Sequence, residues 1–413
     1  MSSLDETSTP AMDSEARKCD EEHLAVQMRQ TEKNRDLVAN TSILVDLWGA
    51  RLESLRVARR DEPETSNAMK KELPSHIFIL VHGNNGAPSD FDAIASRVRT
   101  AFGGDCFILQ SQVNQGPMTR RGIARCGTEL SIEILDQLLQ FDVTPSPHRW
   151  LTIVGHSFGG LLARYCLPYI EDTFCSLGIE LTSFATLCTP HLGSRRPGGS
   201  VWKELVKCVV HGVLSYKSRY GQTGMDLLLE GEPDSMLEQM SRPDSIFMRS
   251  LAKFRHRTLV GLVDGDHLVP RASSCLIHVH PNIVLREESL YCWSVGHSGF
   301  PDSFEVLANF DKVDMALLKD KEQCYTRHGI EHDLQQRVAI PQTILKGLES
   351  LSWRRLHVRV NYNQRYWLKM HDWPMALHQP PHTRCEEFVD LFVALLVADH
   401  NAISTEAVEL VDT

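Results

Sequence analysis

The 413-residue sequence has eleven cysteines but no CxxC pair and no Cys/His cluster with the spacing of metal ligands. An odd number of scattered thiols fits a reducing compartment and speaks against a disulfide framework or a structural zinc site. Also missing is any block rich in Lys and Arg. The formal charge is −10, modest for this length, and no nucleic-acid footprint is indicated. The first residues, MSSLDETSTPAMDSEARKCDEE, are acidic and polar where a signal peptide would be basic and then apolar. The longest apolar run near the C-terminus, Phe388 to Ala398, is too short to span a bilayer. These absences predict a cytoplasmic protein, with peripheral contact to a membrane or lipid-droplet surface left open. Oligomeric state is not legible.

What is present centres on Trp150 to Ile170, WLTIVGHSFGGLLARYCLPYI. A β-leaning apolar run meets Gly155-His156-Ser157-Phe158-Gly159-Gly160 and passes without a spacer into a buried helical pattern. Strand, sharp turn and helix in that order hold a serine hydroxyl at the top of a sheet, beside the free N–H groups of a helix N-terminus. Ser157 is therefore the candidate nucleophile. Upstream, the strand His76 to Val81 runs into His82-Gly83-Asn84-Asn85-Gly86, a glycine-rich turn suited to an oxyanion hole, with the backbone N–H groups of Asn84 and Phe158 as the candidate donors.

Along the chain, residues 1–20 read as a disordered N-terminus, and 21–75 as a helical extension with a charged linker at 61–75. From 76 to 398 the pattern is βαβα. Helices are expected at Asp90 to Ala101 and Gly127 to Leu139, and strands at Cys106 to Gln110, Leu181 to Leu187 and Arg257 to Val263, giving a mostly parallel sheet with helices on both faces. Residues 195–250 break the alternation with helical patterns at Val201 to Leu214 and Met225 to Met240, and read as a cap insertion. Its apolar residues, Trp202, Leu205, Val209, Val210, Val213 and Leu214, would face an acyl chain or simply pack. Residues 300–343 are polar and charged and read as a surface insertion, and 399–413 as a C-terminal tail.

Four further positions carry chemistry or packing. His191 follows the strand end Leu187 and would contact substrate or pack the loop. Asp264 and Asp266 compete for the acid that orients a catalytic imidazole, since both follow the strand that ends at Val263. His297, in Ser294-Val295-Gly296-His297, comes about thirty residues after Asp266, a spacing common in compact hydrolases of this type.

Residues 76 to about 285, and again about 344 to 395, resemble the serine esterase family of eukaryotic lipase-like proteins that includes the Rog1-type lipases and the more distant FAM135-type proteins. The resemblance is carried by Leu80-Val81-His82-Gly83 with Gly86, by the elbow, by Thr189-Pro190-His191-Leu192-Gly193, by Asp266-His267-Leu268-Val269-Pro270, and by Ile344 to Leu348 with Trp353-Arg354-Arg355 and Val358. It implies an α/β-hydrolase fold and a serine esterase acting on lipid or other apolar acyl esters, without metal or organic cofactor. The family's acid precedes a Val-Pro pair by three residues, which implies Asp266 with Asp264 as the fallback. Its base lies in a loop after a W-x-x-x-x-V strand, which implies His371 after Trp353 to Val360, although Met370 and Asp372 depart from the expected flanks. His297 stays the rival base. Two other functions are open at this point: a transferase or thioesterase using the same nucleophile, and a binding scaffold with a vestigial triad.

Overall fold

The apolar runs that predict strands lie side by side in one sheet. The protein is represented by a computed structural model that describes residues 71–142, 148–194, 217–229, 235–263, 265–276, 290–297, 300–309 and 341–411. The N-terminal disorder and helices expected before residue 71 lie outside these residues, as do the expected cap helix 201–214, Asp264 and residues 310–340. In chain order the main elements are β1 (His76–Val81), α1 (Asp92–Phe102), β2 (Cys106–Gln110), α2 (Ile123–Leu138), β3 (Arg149–His156), α3 (Phe158–Ser176), β4 (Ile179–Leu187), α4 (Lys217–Leu228), α5 (Met236–Gln239), α6 (Ile246–Ala252), β5 (His256–Leu262), α7 (Arg271–Ser274), β6 (Leu290–His297), β7 (Phe300–Asn309), α8 (Gln342–Glu349), β8 (Arg354–Val360) and α9 (Cys385–Val411).

Across the sheet the order is β2-β1-β3-β4-β5-β8-β7-β6. The first six strands are parallel, and β7 and β6 close one edge as an antiparallel hairpin. Parallel strands covered on both faces should be apolar throughout, and all eight residues of β3 are buried. One layer is made by α1 and α9, which pack on each other beside a core of Phe78, Leu80, Val154, Leu187, Val260 and Phe388. The other is made by α3 with α2 and α6. In α2 the buried Ile123, Cys126, Leu130, Ile134 and Leu138 recur every three or four residues, the stripe expected of a helix with one face on a core. This is the α/β-hydrolase architecture, and residues 70–413 form one compact unit. Among the described residues no helix is long and apolar enough to cross a membrane.

Four expectations change. Residues 300–309 belong to the sheet and not to a surface insertion: β7 pairs with both β8 and β6, and Phe304 and Val306 are buried. Strand alternation in FPDSFEVLAN was masked by the polar residues that follow. The tail expected from residue 399 is helical to Val411, because Asp399 and His400 are buried against polar groups of the sheet and carry α9 past its apolar run. The helix expected over Met225 to Met240 is broken, since α4 stops at Leu228 and Leu229 has φ 55°. Chain packing also starts within the expected linker, with Leu73 buried and the Lys71 carbonyl accepting from the Asp142 N–H.

Candidate active site

Ser157 sits between β3 and α3 at φ 51° and ψ −124°, a conformation that L-residues hold only under constraint. Two glycines make the turn possible. A Cβ on Gly155 would lie 2.4 Å from Gly160 Cα, and one on Gly159 would lie 2.1 Å from the Val81 carbonyl oxygen, so strand, helix and β1 meet at backbone contact. From Arg149 to Leu167 every residue except Ser157 is buried.

His371 and Asp266 reach this serine from the C-terminal ends of two other strands. His371 lies on a 3-10 segment, Gln364–Met375, that follows β8, and its Nε2 is 2.8 Å from Ser157 Oγ. Its Nδ1 is 2.8 and 3.0 Å from the two carboxylate oxygens of Asp266, which follows β5. A carboxylate accepts, so Nδ1 carries the proton, and Nε2 is left to accept from the serine hydroxyl. The N–H groups of Leu268 and Val269 donate to Asp266 Oδ1, each at 2.9 Å. Burial opposes the Asp266 charge, but the His371 ring and these two N–H donors outweigh it and hold the carboxyl below its ordinary range. For His371, burial opposes protonation and the Asp266 carboxylate overrides it, raising the imidazole pKa.

The glycine-rich loop after β1 presses on the same serine, since a Cβ on Gly83 would lie 3.0 Å from Ser157 Cβ. The loop is pinned from an element that carried no motif, the 3-10 segment Gly116–Arg121. Buried Thr119 accepts the Asn85 N–H at 2.9 Å, and its hydroxyl lies 2.7 Å from Asn84 Oδ1 and 2.8 Å from the Gly116 carbonyl. The N–H groups of Asn84 and Phe158 meet no acceptor among the described residues. Thr223 of α4 donates to the Thr119 carbonyl and accepts from the Gly122 N–H, so α4 and the loop share one support.

The remaining candidates fall elsewhere. His191 is fully buried, with Nδ1 3.3 Å from the Arg164 guanidinium and Nε2 3.0 Å from Thr186 Oγ1, which is the loop-packing role and not the substrate contact. His297 ends β6, five strands from β3 in the sheet order, about 24 Å at the usual strand spacing. Asp264 lies outside the described residues. Sequence reading had no signal for Thr119 and passed over His156, the residue before the serine. Its Nε2 donates to the His371 carbonyl at 3.2 Å, with Asp372 3.8 Å away. Burial, reinforced by the neighbouring His371, lowers its pKa to about 4, so the ring is neutral and helps hold the His371 loop. Among the described residues two groups have metal-ligand chemistry, His156 with His371 and Asp372, and Cys188 with Asp266 and His371. Both draw on His371, whose ring nitrogens are engaged by Ser157 and Asp266.

Residues 71–277, just over half of the chain, match the family described as Putative serine esterase (DUF676). The chain belongs to this family. A 260-residue stretch is 24% identical to Putative lipase ROG1 of Saccharomyces cerevisiae, covering 61% of this chain and 34% of that protein. Over 213 residues the chain is 24% identical to Putative lipase C4A8.10 of Schizosaccharomyces pombe, covering 49% of this chain and 26% of the relative. The chain thus spans about a third or less of these curated relatives. Among solved structures, Aspergillus fumigatus lipase B aligns at a TM-score of 0.31 and 11% identity over 51% of this chain and 42% of that one. The monoacylglycerol lipase of Paleococcus ferrophilus aligns at 0.28 and 13% identity over 49% and 79%. These likenesses add nothing to the fold, which rests on the sheet and elbow above. Family membership supports a hydrolase role for the chain.

Proposed function

We propose that the chain is a serine hydrolase that cleaves carboxylic esters, of lipids or other apolar acyl groups, through an acyl-enzyme on Ser157. The observation that carries the reading is the hydrogen-bonded line from Ser157 Oγ through His371 to Asp266. His371 Nε2 takes the hydroxyl proton as Oγ attacks the ester carbonyl, and the Asp266 carboxylate stabilises the imidazolium that forms. Negative charge developing on the carbonyl oxygen is met by the N–H groups of Phe158 and Asn84, which lie in a loop and a helix terminus that need not move. Imidazolium then gives its proton to the leaving alkoxide. Water, activated by the same nitrogen, hydrolyses the acyl-enzyme, and no step requires a metal or organic cofactor.

The acyl preference draws on the names of the fungal relatives and on the apolar residues of the 195–250 insertion. It is tested by comparing p-nitrophenyl esters of increasing acyl length. We expect kcat/KM to rise with chain length and the Ser157→Ala protein to lose turnover by at least a thousandfold. Turnover that is equal in the alanine protein would remove Ser157 from the reaction, and turnover absent for every ester in the wild type would leave the fold as a binding scaffold.

A further inference from the structure

Large hydrophobic side chains exposed singly are ordinary on a protein surface, but their distribution here is not. Among the described residues the exposed ones are Met118, Leu268, Trp367 and Leu368. Each belongs to a segment that builds the site. Met118 precedes Thr119, which pins Asn84 and Asn85. The Leu268 N–H holds Asp266, and Trp367 and Leu368 come four and three residues before His371. The last three form one rim, because the His267 and Trp367 rings meet edge to face at 5.1 Å and join the acid loop to the histidine segment. Trp367 is 45% and Leu368 58% exposed, although their successors Met370 and His371 are buried.

Charge on this rim runs against the rest of the chain. The sequence carries −10 overall, yet residues 359–371 contain no Asp or Glu, and the one acid of the Gln364–Met375 segment, Asp372, lies 3.8 Å from His156 Nε2. Arg365 and Lys369 are both exposed and flank Tyr366, with the guanidinium 4.6 Å and the ammonium 5.8 Å from the ring centroid. An exposed Trp-Leu pair between two cations with an amphipathic Tyr is the composition that favours the boundary between acyl chains and anionic headgroups.

We propose that the Gln364–Met375 segment, together with Leu268, docks the protein on an anionic phospholipid surface. Trp367 and Leu368 enter the acyl boundary, while Arg365 and Lys369 contact the headgroup phosphates and carboxylates. Because Trp367 and Leu368 lie within about one turn of His371, docking turns the mouth of Ser157 toward the lipid. That use rests on the reading of Ser157 as the nucleophile toward apolar esters, whereas the docking itself does not need the reaction.

The test is co-sedimentation of the full-length Ser157→Ala protein with phosphatidylcholine vesicles that contain phosphatidylserine, beside vesicles of phosphatidylcholine alone. The proposal expects preferential binding to the anionic vesicles, weakened by salt and reduced about fivefold by each of Arg365→Ala and Lys369→Ala. The Trp367→Ser/Leu368→Ser double variant should bind about tenfold less or weaker. Leu368→Ser alone, at the most exposed of these positions, should move binding in the same direction without risk to the fold. Fluorophosphonate labelling of the same variants with Ser157 restored reports that the fold is kept. Absence of binding to anionic vesicles, or Leu368→Ser and double-serine proteins that bind as well as the Ser157→Ala parent, would overturn the proposal and leave the rim to a protein partner. Vesicle binding by a wild type that the probe does not label would support docking while overturning the esterase reading.

Discussion

Two buried polar clusters lie along the same strands, one at their C-terminal ends and one nearer their N-terminal ends. The first is Ser157, His371 and Asp266. In the second, Arg354 of β8 donates to both carboxylate oxygens of Asp399 at 2.6 and 2.7 Å, and to Thr258 Oγ1 of β5. Ser183 of β4 also donates to Asp399, and the His400 ring lies 2.7 Å from Thr152 Oγ1 of β3 and 2.8 Å from His76 Nδ1 of β1. Five strands are thereby joined to α9. Both clusters combine a carboxylate with a basic side chain and hydroxyls, but they end differently. In the lower one the polar atoms turn inward on one another, and burial, helped by His76, lowers the His400 pKa to about 3, keeping that ring neutral. In the upper one the chain ends on Ser157, partly open and held at a strained φ, with its hydroxyl proton aimed at a base. A closed network specifies packing, and an open one has a group left over for chemistry.

The comparison is broken most severely at the acid. In the Asp266→Asn protein kcat should fall by about ten-thousandfold, because the amide favours the wrong imidazole tautomer. The pH profile gives the sign. The Asp266 carboxylate raises the His371 pKa, so wild-type kcat/KM should drop as pH falls through a value above the ordinary histidine pKa of about 6.5, where the base becomes protonated. With that carboxylate gone, burial is opposed only by the charge of Asp372, and the limb of the residual activity should move to lower pH. A limb that stays in place would separate Asp266 from the base.

In the lower cluster the same kind of change should act on folding and leave turnover alone. Asp399→Ala strands Arg354 in the core and should cost about 3–5 kcal/mol in denaturant unfolding, with activity per folded molecule retained. Loss of turnover in protein that is still folded would show the two clusters to be coupled.

The smallest effect is expected at the support that sequence reading missed. Thr119→Val keeps the shape and removes the hydroxyl shared by Asn84 and Asn85, so the part-buried bond that ties the Asn85 N–H to this segment is lost. We expect kcat to fall about tenfold with KM little changed, the signature of a loosened oxyanion loop. An equal rise in KM would instead place Thr119 in ground-state binding.

Legibility in the sequence follows the same division. Ser157, Gly83 and Asn84 were readable because each sits in a glycine turn directly after an apolar strand, and at the elbow the glycines Gly155 and Gly159 are required by backbone contact. Asp266 and His371 needed the family resemblance, since nothing local distinguishes Asp266 from Asp264 or His371 from His297. The order of strands separates the two histidines: β8, which precedes His371, lies beside β5, whereas β6, which ends in His297, is at the far edge. Thr119 acts through one hydroxyl in a segment without periodicity. The lower cluster was invisible because its members are scattered from His76 to His400, and Asp399-His400 reads as the polar end of an apolar helix until the sheet supplies its partners. Strand β7 was lost for a related reason, as ten alternating residues were averaged into a charged stretch.

The central claim is that His371 activates Ser157. Fluorophosphonate labelling of the wild type beside Ser157→Ala, His371→Ala and His297→Ala tests it most directly. Labelling is expected at Ser157 in the wild type and in His297→Ala, with its loss in Ser157→Ala and His371→Ala. A His371→Ala protein that labels at the wild-type rate, or a His297→Ala protein that does not label, would contradict it.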